Sequence, residues 1–163
     1  MIQVSFEVYS IGHIRTEFKT SDGIPIQSFA SQAIGYAEVK KEYIEGLESL
    51  SGFSHIILLY WFHNAKSPNM MVKPYLDTKM HGLFSTRAPA RPNPIGLSIV
   101  KLIAINGRVI EFSGADMIDG SPLLDIKPFV PDFDNRLDAT SGWLETSSIK
   151  KDHDLHADDR FEN

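Results

Sequence analysis

Ser85-Thr86-Arg87-Ala88-Pro89-Ala90-Arg91-Pro92-Asn93-Pro94-Ile95-Gly96, continuing as Leu97-Ser98-Ile99-Val100-Lys101-Leu102, joins a rigid loop to an apolar strand. Proline holds its own φ near −65° and pushes the preceding residue out of the helical region. Prolines 89, 92 and 94 therefore restrain Ala88, Arg91 and Asn93 as well as themselves. The guanidinium groups of Arg87 and Arg91 sit on a segment that loses little entropy on meeting a ligand. The same features also suit a plain stiff connection between strands. Beyond Gly96 the run Leu97–Ile105, the pair Asn106-Gly107 and the run Arg108–Ser113 predict a β-hairpin, since Asn-Gly favours a type I′ turn.

Working outward, most of the chain reads as short strands and turns. Residues 4–16 alternate loosely through Val4, Phe6, Val8 and Tyr9, predicting a first strand with an irregularity at Gly12. Residues 17–33 are turn-rich, and Ala33–Lys40 returns as a strand. Glu42–Leu50 places Tyr43, Ile44, Leu47 and Leu50 at helical spacing and predicts one short helix. Phe53–His63 is a nearly continuous apolar run, read as a buried strand. A long loop over 64–81 leads into a strand at Gly82–Arg87. Asp119-Gly120-Ser121-Pro122 is turn chemistry ahead of a short strand, Leu123–Ile126. Strand count, a single helix and hairpins predict a mainly β fold, a single closed or nearly closed barrel with a long proline-rich loop.

The chain of 163 residues has no cysteine, so disulfide and thiolate chemistry are excluded and a reducing cytoplasm is expected. No apolar run reaches membrane-spanning length, and no signal-peptide layout opens the chain. The net charge of −5 is uneven: residues 55–110 hold seven basic residues and one acid, giving +6 there and −11 elsewhere. Such a basic middle suits an anionic partner if its charges share a face, and is unremarkable if they are scattered. His55 and His63 lie eight apart with no cysteine or paired acids nearby, so no metal site is expected. Residues 134–163 carry eight acids, four basic residues and no period. The segment 136–163 therefore reads as an acidic tail, partly disordered or draped over a domain spanning 1–135, with Trp143 as anchor. There is no G-x-G and no Walker loop, which removes the dinucleotide and P-loop routes to a nucleotide.

The string R-x-x-x-R-P-N-P-I-G-L-S-x-V-K-L resembles the signature of the TsaA-like family, β-barrel methyltransferases that use S-adenosyl-L-methionine and modify tRNA. I-G-H-I-R-T at 11–16, Y-I-E-G-L-E-S-L-S-G-F-S-H at 43–55 and D-G-S-P-L-L-D-I-K-P-F at 119–129 are also similar to family motifs. The resemblance implies a cofactor site of Pro25, Ile26, Gln27, Phe62, His63, Arg87, Leu97, Asp119, Gly120, Ser121 and Pro122. Ile26 stands where many relatives have arginine. Arg91, Asn93 and Lys127 are the implied substrate contacts. The implied reaction is methylation of the exocyclic nitrogen of threonylcarbamoyl-adenosine beside the anticodon. Alternatives are methylation of a small metabolite, or a barrel that binds an adenosine ligand without turnover.

Methyl transfer from a sulfonium depends on in-line positioning and a dry nucleophile. Arg87 is expected at the carboxylate end of the donor, away from the sulfonium. No residue is identified as a general base. A homodimer is expected, both from the resemblance and because Phe53–Phe62, Met70, Met71 and Tyr75 offer more apolar surface than one small barrel can cover.

Overall fold

A computed structural model describes residues 4–147 and 156–157. Six antiparallel strands close into a barrel: β1 (Gly12–Arg15), β2 (Ile34–Val39), β3 (His55–Trp61), β6 (Ile95–Asn106), β7 (Val109–Ser113) and β8 (Ser121–Pro128). Around the barrel the order is β1, β2, β7, β6, β3, β8. Two two-residue strands, β4 (Met71–Val72) and β5 (His81–Gly82), make a separate ribbon. Closure leaves the main sheet without a free end strand, which protects a small β protein from edge-to-edge association.

Alternation sets the core. In β3 the side chains of Ile56, Leu58 and Tyr60 are buried, while those of His55, Ile57, Leu59 and Trp61 face outward and are half-buried. The apolar run is thus covered fully on one face only, which corrects the expectation of a strand buried throughout. β6 alternates likewise, with Gly96, Ser98 and Val100 inward. Ile14, Ala37, Val39, Ile110, Phe112 and Leu123 complete the interior.

The hairpin forms with its turn one residue later than expected. Asn106 pairs with Val109, so Gly107 and Arg108 are the central residues. Gly107 has φ +60° and Arg108 does not share a positive φ, which is the type II′ pattern rather than type I′. Residues 4–9 are exposed and join no strand; the chain finds neighbours on both sides only from Ile11 to Ile14, so alternation without a partner did not make a strand. The segment expected as a helix forms two 3₁₀ turns, Lys41–Leu47 and Leu50–Gly52, separated by Ser49 at φ 64°. Only Leu50 of its apolar set is fully buried, too little to hold a regular amphipathic helix. Gly82–Arg87 is likewise not a strand: after β5 it tightens into a 3₁₀ turn at Leu83–Ser85, anchored by buried Leu83. Among the described residues the one α-helical turn, α1, is Pro131–Asp134.

Part of the tail is draped over the molecule. Trp143, in a 3₁₀ turn at Gly142–Glu145, stacks on His81 with ring centroids 4.3 Å apart and donates its indole N–H to the Ser85 carbonyl at 2.8 Å. Farther on, Ala157 exchanges backbone hydrogen bonds with Gly23 and Ile24 at 3.0 and 2.7 Å. The rest of the segment expected as a tail, 148–155 and 158–163, lies outside the described residues.

Candidate functional site

The ends of β1, β3 and β7 and the starts of β6 and β8 meet at one rim of the barrel, opposite the Gly107 hairpin turn. There a cleft of about 650 Å³ opens between the loop 19–27, residues 62–66, the proline loop and residues 116–121. Pro25, Ile26, Gln27, Phe62, His63, Arg87, Leu97, Ser121 and Arg91 all line it. Asp119, Gly120, Pro122 and Asn93 stand beside the lining. Lys127 is near the far end of β8, paired with Asp125 at 2.7 Å.

The proline loop is braced from within. Arg91 donates to the carbonyls of Thr86 and Ala88 at 2.9 and 3.2 Å, and its guanidinium lies 5.8 Å from the centre of the Phe84 ring. Arg91 therefore staples the loop that presents Arg87. Arg87 stays exposed and donates to Gln27 Oε1 at 2.7 Å, leaving most of its five donors available. The turn at 119–122 is also committed locally. Asp119 accepts from Lys19 at 2.7 Å and from the Thr16 amide at 3.0 Å, which hold its carboxyl below the usual carboxylate range. The amides of Asp119 and Gly120 go to the carbonyls of Phe18 and Ile14.

β6 offers something different. Its first half pairs with β3 along one edge, whereas pairing with β7 begins only at Lys101. The unpaired edge runs past the cleft. Ser28 Oγ already donates to the Ile99 carbonyl on that edge at 2.8 Å. Backbone groups of alternate residues point the same way, so those of Leu97 face the cleft side and can pair with the edge of a planar heterocycle.

The sequence did not point to Asp116. Its partly buried carboxylate accepts from Ser98 Oγ at 2.6 Å, and Ser98 contacts the buried Tyr60 hydroxyl at 3.1 Å. Burial pushes the Asp116 carboxyl up to about 6, against the Ser98 bond and the Arg87 charge, which lower it. Burial also drives the Tyr60 phenol upward, so it keeps its proton. Gly96 makes this arrangement possible: a Cβ there would meet the Tyr60 ring at 2.4 Å. The signal in the sequence was a serine at an inward position of an otherwise apolar strand.

Among the described residues Lys19, Lys66, Arg87 and Arg91 line the cleft against one acid, Asp116, so this part of the rim is basic. The +6 segment does not gather wholly on this face, since Arg108 pairs with Glu38 by the hairpin turn. Among the described residues no group of three His, Asp or Glu side chains could hold a metal, and no helix is long and apolar enough to cross a membrane.

Together these features define a small antiparallel barrel with a cleft at one basic rim, between a braced proline loop and an unpaired strand edge. The profile of the tRNA-methyltransferase O N-terminal domain matches residues 13–135, and the chain belongs to that family. It is 47% identical over 152 residues to a probable S-adenosyl-L-methionine-binding protein of Pyrococcus abyssi, covering 93% of this chain and 82% of that one. It is 40% identical to a mouse tRNA (adenine(37)-N6)-methyltransferase, over 77% of this chain but 31% of the mouse protein. A crystal structure of TrmO from Pseudomonas aeruginosa superposes with a TM-score of 0.73 at 37% identity, over 85% of this chain and 62% of that one. The chain thus spans about a third of the mouse enzyme and three-fifths of the Pseudomonas protein.

Proposed function

We propose that this protein is an S-adenosyl-L-methionine-dependent methyltransferase that methylates the exocyclic nitrogen of threonylcarbamoyl-adenosine beside the anticodon of tRNA. The observation that carries the reading is the convergence at one cleft of Arg87, the free Leu97 edge and the apolar wall of Pro25, Ile26 and Phe62. When bound, the cofactor supplies the methyl group on a positively charged sulfur. Arg87 is shaped to take its carboxylate. The Leu97 backbone suits the adenine edge, and Phe62 and Pro25 exclude water from the reacting centre. The basic rim fits a phosphate backbone. The mouse relative, named for N6 of adenine 37 in tRNA, supports a tRNA adenine substrate, and the Pyrococcus relative, named for S-adenosyl-L-methionine binding, supports the cofactor.

A second copy of the chain belongs to this reading. Cross-strand pairs Ile57/Ile99, Leu59/Leu97 and Trp61/Ile95 form a continuous apolar face on the outside of the barrel next to the cleft. A surface of this kind is uncommon on a monomer, and a two-fold interface would cover it. The cytoplasm, where tRNA is modified, is the matching compartment.

Calorimetry with S-adenosylmethionine and with its demethylated product, followed by methyl transfer to bulk tRNA, tests the assignment. Binding and transfer to tRNA are expected. Donor binding without transfer would leave a ligand-binding barrel, transfer only to small molecules would move the substrate, and binding of neither nucleoside would end the reading.

A further inference from the structure

The methyl transfer proposed above leaves one task without a residue. A nitrogen that has accepted a methyl group carries a surplus proton, and Asp116 is the only carboxylate lining the cleft among the described residues. We propose that Asp116 holds the acceptor nitrogen and takes this proton, oriented by a hydroxyl chain running from Tyr60 through Ser98. The inference rests on the methyltransferase reading and deepens it.

The direction of the chain follows from donor counting. Ser98 has one proton and gives it to the carboxylate at 2.6 Å, so the 3.1 Å contact behind it is filled by the Tyr60 proton. Both hydroxyls point toward Asp116, and the carboxylate is the sink. An ionised carboxylate has about four acceptor sites, of which Ser98, the Ser28 amide and the Asp116 amide itself use three. The remainder is available for an N–H of a bound amine or amide. Tyr60 on β3 and Ser98 on β6 are fixed by the barrel core, so the group is mounted on strands rather than on a mobile loop.

In the step itself the nitrogen lone pair forms a bond to the methyl carbon. The carbon–sulfur bond breaks with its electrons going to sulfur, which becomes a neutral thioether. The nitrogen then releases its proton to Asp116, which passes it to water as product leaves. No oxidant or metal is needed. The carboxyl's position near 6 leaves it ionised at neutral pH yet more basic than an ordinary aspartate. Arg87 and Tyr60 are the charged and titratable groups that act on it, and Lys19, Lys66, Arg91, Tyr75 and His63 are the others around the cleft.

The test compares wild type, Asp116→Asn, Asp116→Glu and Ser98→Ala for single-turnover transfer to tRNA across pH and for donor affinity by calorimetry. The Asp116 carboxyl carbon is followed by NMR in parallel. Asn is expected to slow transfer by about 10²–10⁴-fold with donor affinity unchanged, and Glu to recover part of the rate. The wild-type rate should fall on the acid side with the same midpoint as the Asp116 resonance. Ser98→Ala, which removes a bond favouring the anion, should move both midpoints to higher pH. An Asn variant within about threefold of wild type would overturn the role. So would loss of donor affinity in step with rate, an acid limb that persists without Asp116, or midpoints that Ser98→Ala leaves in place. A wild type that transfers no methyl group to tRNA would instead remove the methyltransferase reading, and this inference with it.

Discussion

At the scale of single residues, Arg87 and Asp116 of the cleft make opposite predictions. Arg87 is exposed and its one described side-chain bond is to Gln27, so the fold depends on it little. Arg87→Ala should cost the donor about 1.5–3 kcal/mol of affinity, the scale of a hydrogen bond to a charged group. Its melting temperature should match wild type, and calorimetry beside a thermal melt checks both. Asp116 trades stability for its position. Its folded pKa of about 6 lies above the ordinary aspartate value of 3.8, so the stability that the protonated form contributes is present below about pH 4 and is lost as pH rises through 6. Asp116→Asn avoids that loss. The variant should gain on the order of 2–3 kcal/mol above pH 7, less whatever the Ser98 bond is worth to the anion, and the gain should vanish near pH 4. Melting curves at pH 4 and pH 8 decide it, and an Asn variant less stable at pH 8 would contradict the burial cost.

At the scale of elements, β6 ties core to cleft through Gly96. Gly96→Ala places a methyl group into the Tyr60 ring, whose 2.4 Å approach cannot be relieved without turning Tyr60 off Ser98. Overpacking of this kind costs about 1–3 kcal/mol, and the Asp116 resonance should shift with it because its hydroxyl chain is broken. A shift in stability with no shift in that resonance would mean that Tyr60 and Asp116 are not coupled. The draped tail is a second element-level device. Trp143→Ala removes the stack on His81 and the bond to Ser85 O, and should cost about 1 kcal/mol. It should also release residues 136–147 to limited proteolysis, while cleavage within the barrel stays unchanged.

The same scale shows how much could be read beforehand. The hairpin, the presence of β3 and the stiff loop were legible because local rules suffice: Asn-Gly near a turn, a continuous apolar run, proline before and after arginine, though which face of β3 is buried was not read. Cleft residues were named through a resemblance, and nine of the fourteen fall on the lining. Asp116 was not legible. In A-D-M-I-D-G-S-P it looks like one more acid before a turn, and only barrel closure brings it opposite Ser98, eighteen positions back. The residues 4–9 failed in the opposite sense, since alternation is necessary for a strand but a partner decides whether one forms. Arg91 was read as a ligand group on loop stiffness, yet stiffness itself comes partly from Arg91 binding Thr86 and Ala88.

At the scale of the whole molecule, the outer face of β3 and β6 decides assembly. Ile95, Leu97, Ile99 and Ile103 are each 40–49% exposed along one strand, and Ile57, Leu59 and Trp61 extend the face sideways. The tail does not cover it where the tail is described: Trp143 sits on His81 and Ser85 instead, and Ala157 on Gly23 and Ile24. That favours a second chain over an internal lid as the cover. Sedimentation at micromolar concentration should therefore give roughly twice the 18.3 kDa chain mass. Deletion of residues 140–163 should leave that mass ratio unchanged. Ile99→Lys places a charge at the centre of the face without touching the cleft lining, and should yield a monomer that still melts cooperatively. Because Leu97 belongs both to this face and to the cleft wall, the monomer should also bind the donor more weakly. A wild type that is monomeric at every concentration would refute the interface. A monomer that pairs only after the deletion would show that the tail, in residues beyond those described, is the cover.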